Sequence, residues 1–157
     1  MLLEILFGSQ TGTAEDVSER FSCMARSTGV PCRVRPLDSA TSIEDLGVYT
    51  LFIVATTGDG EEPENMRQFW RFIMRKSLSS VPDILSHVNY GLIGLGDSTY
   101  PKFNFVGKKL SKRLEQLGAK AICEKVLADE QHPYGTLFSR YNRERFFEHF
   151  FQFDFRN

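Results

Sequence analysis

Ser9, Thr11 and Thr13 place three hydroxyls at alternate positions of the segment 8–13, and Gly8 and Gly12 free the backbone between them to turn its N–H groups inward. Ala14 then opens an amphipathic stretch, so hydroxyls and amides converge where a helix begins. That combination cradles a phosphate. The segment has no Lys or Arg, whereas a nucleoside triphosphate loop of the GxxxxGK[ST] type needs its Lys on the outer phosphates. The dinucleotide pattern GxGxxG also fails, because Gly8 and Gly12 are four apart and Gly94 and Gly96 lack a third Gly two residues on. A single terminal phosphate is the ligand group expected here. Taken alone, such a turn can equally do no more than cap the helix.

Two further glycine-rich segments favour the ligand. In Ala55-Thr56-Thr57-Gly58-Asp59-Gly60 two glycines follow an apolar run, which suits close approach of a flat molecule to the main chain. In Leu95-Gly96-Asp97-Ser98-Thr99-Tyr100, followed by Phe103-Asn104, Tyr100 offers a ring for stacking on a conjugated heterocycle. By itself Tyr100 reads as well as a core or surface residue; beside a phosphate cradle stacking is favoured. A fourth segment, Ala128-Asp129-Glu130-Gln131, is acidic.

All four segments follow strand-like runs. Residues 2–7, 32–37, 50–55, 88–95 and 121–127 are short and apolar, and helical spacing recurs from Ala14, over 65–76 (Phe69, Trp70 and Ile73 inward), around Val106, Leu110, Leu114 and Leu117, and over about 137–151. Strands alternating with helices predict an α/β three-layer sandwich, a five-stranded parallel sheet in order 2-1-3-4-5 with helices on both faces. Such sheets bind ligands beyond the carboxyl ends of their strands, where strand order reverses. The four segments should meet there.

The remaining composition excludes other classes. With 157 residues, 19 Lys plus Arg, 20 Asp plus Glu and a net charge of -1, the chain reads as one soluble domain, with neither the basic excess of a nucleic-acid module nor a membrane span. Three cysteines without CxxC spacing, and no basic, apolar leader, fit a reducing cytoplasmic setting. His87, His132 and His149 are scattered and read as structural or surface residues. Arg67, Arg71, Arg75 and Lys76, and Lys108, Lys109, Lys112 and Arg113, form basic stripes of the kind solvated helix faces carry; partner docking is the alternative reading. Seven acids, Asp59, Glu61, Glu62, Glu64, Asp97, Asp129 and Glu130, fall in the strand-end segments and should make the site's mouth acidic.

The motifs 8–15, 55–60 and 95–100 with Phe103-Asn104, in that order and across essentially the whole chain, resemble flavodoxin-type FMN domains. They are most similar to the N-terminal FMN domain of cytosolic NADPH-dependent diflavin reductases, the branch that passes electrons to the iron–sulfur protein anamorsin in iron–sulfur cluster assembly. Residues 65–76 and 102–106 look like that branch. The resemblance implies that Ser9, Gln10, Thr11, Gly12, Thr13 and Ala14 hold the FMN phosphate and that Ala55, Thr56, Thr57 and Gly58 meet the ring. It also implies that Leu95, Gly96, Asp97, Ser98, Thr99, Tyr100, Phe103 and Asn104 form the second wall, with Asp129 and Glu130 near the cofactor. Many diflavin relatives have an aromatic residue where Thr57 stands, so the resemblance implies a less covered ring face here; Ala128 replaces a usual Gly, which bears on the contacts of the fourth segment. FAD and NADPH would occupy domains beyond this chain, leaving residues 1–152 as the FMN domain and 153–157 as the start of a linker or tail. A free-standing flavodoxin is the alternative, and a cofactor-free receiver domain a remote one, since a receiver needs acids where the first strand ends in Phe7-Gly8-Ser9.

Overall fold

In the computed structural model, residues 1–131 and 140–152 are described, the side chains of 140–145 excepted. Largely apolar runs free of Pro form the central strands β1 (Leu3–Gly8), β3 (Tyr49–Ala55) and β4 (Asn89–Gly96), which are buried almost throughout. Strand β2 (Cys32–Pro36) flanks β1, and all pairings are parallel, with β1 lying between β2 and β3. The sheet order is the one expected.

The far edge departs from the expected continuous strand 121–127. It is split into β5 (Lys120–Ala121) and β6 (Val126–Asp129), both paired with β4. Exposed Glu124 and Lys125 draw the chain off the ladder before Val126 rejoins it. The expected helix 65–76 is also shorter. A 3-10 turn, Glu64–Met66, leads into α2 (Arg67–Ile73), and Arg75, in extended conformation (φ -60°, ψ 130°), ends it.

Helices α1 (Thr13–Ser27) and α4 (Arg140–Gln152) cover one face; α2 and α3 (Phe105–Gln116) cover the other. Residue alternation along the strands feeds both cores. Leu3, Ile5 and Phe7 face α1, while Leu6 faces the layer holding Phe69, Ile73 and Leu110. The C-terminal phenylalanines Phe146 and Phe150 are buried against the sheet, where a Cβ on Gly91 would fall 2.6 Å from the Phe150 ring. Residues 153–157 lie outside the described residues. So do 137–139, the expected start of the last helix, and His132.

One close approach sets the position of the site. A Cβ on Gly107 would fall 3.3 Å from the Gly94 Cα, so α3 sits hard against β4. Its preceding residue, Asn104, is thereby driven beneath the end of that strand. No helix among the described residues is long and apolar enough to cross a membrane.

Candidate functional site

The carboxyl ends of β1, β3, β4 and β6 open into one cavity of about 380 Å³, within the size range of small-molecule sites. Residues of all four expected segments line it. From the first come Gln10, Thr11 and Thr13; from the second Ala55, Thr56, Thr57 and Gly58. The third contributes Leu95, Gly96, Asp97, Tyr100, Phe103 and Asn104, and the fourth Asp129 and Glu130. Ser9, Gly12, Ala14, Ser98 and Thr99 are not on the wall. Lys102 and Ala128, which the sequence did not single out as ligand contacts, are.

The residues behind the wall explain how it holds its shape. Ser9 accepts the Gly12 N–H on its Oγ (3.0 Å) and donates its own N–H to Asn65 Oδ1 (2.8 Å), while the Glu64 N–H donates to Gln10 Oε1 (3.0 Å). Gly12 adopts φ +94° at the helix start, a conformation open to glycine. Ala14, in the first turn of α1, is fully buried. No side chain among the described residues caps the start of α1, and the first N–H groups of a helix have no acceptor within it. Thr11 and Thr13 stand exposed at this end, their hydroxyls 3.4 Å apart. An anion is the complementary ligand.

The second segment closes on itself. Thr57 and Glu61 exchange two backbone hydrogen bonds of 2.9 Å, and the Thr57 hydroxyl donates to the Glu61 carbonyl (3.0 Å). Gly58 (φ +41°) and Gly60 (φ +88°) supply the positive φ that this turn requires. Thr56 does a different job, accepting the Val106 N–H on Oγ1 (3.2 Å) and so capping α3 from across the cavity.

In the third and fourth segments, acids are held by donors on neighbouring residues. Ser98 N–H and Gln131 N–H donate to Asp129 Oδ1, and Thr99 donates both its N–H and its hydroxyl to Asp97 Oδ1. Those bonds, the Thr99 hydroxyl first, hold the Asp97 carboxyl below the usual carboxylate range. Of the acids expected at the mouth, Asp59, Glu61, Glu64 and Glu130 are exposed, and Glu62, Asp97 and Asp129 half-buried.

Two observations suit a flat, ring-bearing ligand. Tyr100 is 58% exposed on the wall, a large ring mostly open to solvent. Asn104, fully buried in the left-handed region (φ 52°), donates its Nδ2–H to the Ala128 carbonyl (3.0 Å), yet its Oδ1 has no hydrogen-bond partner among the described residues. Its Oδ1 occupies the space a Cβ on Gly94 would need, 2.8 Å away. An unpaired buried acceptor on a cavity wall fits an incoming donor. Phosphate cradle, exposed ring and orphaned acceptor together match the groups a flavin mononucleotide carries.

Comparison with known proteins agrees with this geometry. The chain is 50% identical over 134 residues to "NADPH-dependent diflavin oxidoreductase 1" of Bos taurus, an alignment covering 85% of this chain and 22% of that protein. It is equally 50% identical over 135 residues to the Mus musculus protein of the same name. The chain thus spans about a fifth of these relatives, which are oxidoreductases. A variant flavodoxin from Pseudomonas aeruginosa matches the structure with a TM-score of 0.75 at 25% identity, over 96% of each chain. Residues 5–143 match the flavodoxin model; the chain belongs to the flavodoxin family, whose cofactor is FMN.

Proposed function

We propose that this chain is the FMN-carrying electron-transfer domain of an NADPH-dependent diflavin oxidoreductase. It takes electrons from an FAD domain of the same polypeptide and delivers them to an iron–sulfur protein of the anamorsin type in the cytoplasm. The observation that carries the reading is the single cavity in which an uncapped helix start, the exposed Tyr100 and the unpaired Asn104 Oδ1 meet. The identity to diflavin reductases favours this over a free-standing flavodoxin, whose overall size the chain shares.

In this reading Thr11, Thr13 and the first amides of α1 bind the phosphate, with Ser9, Gly12 and Ala14 fixing the loop that presents them. Tyr100 stacks on one face of the ring; on the other the closed Thr57 turn offers backbone and a methyl group in place of an aromatic ring. Asn104 Oδ1 takes an N–H donor, and Ser98 and Thr99 act indirectly by orienting Asp129 and Asp97. FMN, when bound, supplies the one- and two-electron chemistry. With Thr57 in place of a ring, the second flavin face stays accessible to an electron donor or acceptor.

Titration of the apo-protein with FMN and with riboflavin tests this. Thr11→Val removes a hydroxyl from the cradle, so FMN affinity should fall several-fold while riboflavin affinity holds. Equal losses would mean that the loop collapsed and that the phosphate is not held there.

A further inference from the structure

The described cavity wall carries four charged side chains, and three of them are the acids Asp97, Asp129 and Glu130. The fourth is Lys102. Lys102 is exposed, but its stem and its ammonium each have a neighbour in the wall. A Cβ on Gly60 would fall 2.8 Å from its Cδ and 2.9 Å from its Cβ, so the aliphatic stem lies directly on the glycine backbone of the Thr57–Glu61 turn. Its ammonium sits 6.0 Å from the centre of the Phe105 ring, which also carries Lys109 Nζ at 4.3 Å. Phe105 is the first residue of α3, so Lys102 joins the two opposing walls and leaves its charge at their seam.

Asp97 accepts hydrogen bonds from Thr99 that favour its ionised form, so its repulsion of negative charge persists through neutral pH, and Asp129 and Glu130 stand beside it on the wall. Lys102 is then the counterweight. We propose that Lys102 sets how readily the bound ligand accepts negative charge, an inference that rests on FMN as that ligand. A flavin ring that has taken up two electrons and one proton carries one negative charge more than the oxidised ring. The ammonium favours that reduced form, and the three acids disfavour it. Gly60 has a second role here, since a side chain at that position would push the lysine stem off the wall.

The test separates charge from packing. Lys102→Met keeps the stem and removes the charge; Lys102→Arg keeps the charge. Dissociation constants are measured for each apo-protein with oxidised FMN and, under anaerobic dithionite, with reduced FMN. Lys102→Met should weaken reduced FMN about fivefold more than oxidised FMN, the size expected for one partly screened charge, and the gap should shrink at high salt. Lys102→Arg should restore the wild-type ratio. An unchanged ratio in Lys102→Met, or equal weakening of both forms, would overturn the inference and leave the lysine a packing residue. A wild-type apo-protein that binds FMN in neither form would overturn the functional reading and this inference with it.

Discussion

Tyr100 is the side chain on which cofactor affinity should depend most directly. Its side chain is mostly exposed, so Tyr100→Ala should leave the fold intact. Stacking on an aromatic ring is worth about 1–3 kcal/mol, roughly five- to 150-fold in affinity. Titration of the apo-variant with FMN reads this directly, and unchanged affinity would remove Tyr100 from the stacking role. Cys123 gives a pH prediction of the opposite kind, remote from the cavity. Burial pushes its thiol from 9.0 up to about 11. Between those values the unfolded chain releases a proton that the folded chain keeps, so this contribution is fully present below about pH 9 and lost as pH rises through about 11. Cys123→Ala should therefore flatten the alkaline fall in stability seen by chemical denaturation. The exposed Cys23 should react with thiol reagents well before Cys123 does.

At the level of elements, α2 is instructive because its start is capped from elsewhere. Asp38 Oδ1 accepts the N–H groups of Gln68 (2.9 Å) and Phe69 (3.1 Å), thirty residues on in the chain. Asp38→Ala should cost about 1 kcal/mol and lower the melting temperature by about 2–4 °C, with FMN affinity kept. A loss of affinity instead would mean that α2 holds Asn65 in place and, through it, the Ser9 loop. Such a cap is invisible to sequence reading, which looks for capping residues adjacent to the helix. The central strands were legible for the converse reason, since burial on both faces demands largely apolar runs at β1, β3 and β4. The split edge was not, because Ile122 and Cys123 continue the apolar pattern across the break and only Glu124 and Lys125 interrupt it. Within the site, glycines and hydroxyls after strands were readable by type. Lys102 was not, because a lone lysine reads as solvated until the glycine beneath its stem is known. Asn104 was found through the family motif, whereas its left-handed backbone and unpaired Oδ1 belong to the close packing of α3 on β4.

Across the whole molecule, near-neutrality hides a separation of charge. Acids gather at the cavity end, while α2, its following turn and α3 carry the basic stripes, within which Arg113 is committed to the Ile73 and Arg75 carbonyls at the end of α2. Electron transfer to a partner that meets the acidic mouth should slow as ionic strength rises, measured by stopped-flow from 10 mM salt upward; a rate independent of salt would argue against electrostatic docking there. The interruption between β5 and β6 has a use of a different order. Ile122 still donates to the Tyr90 carbonyl and Val126 rejoins β4, so each half of the edge is anchored on its own, with exposed Glu124 and Lys125 between them. Loop closure grows costlier only slowly with length. A peptide or a small folded module grafted between Glu124 and Lys125 would leave both anchors in register, which makes this point a port for building reporters or tethered partners onto the domain while the cavity stays as it is.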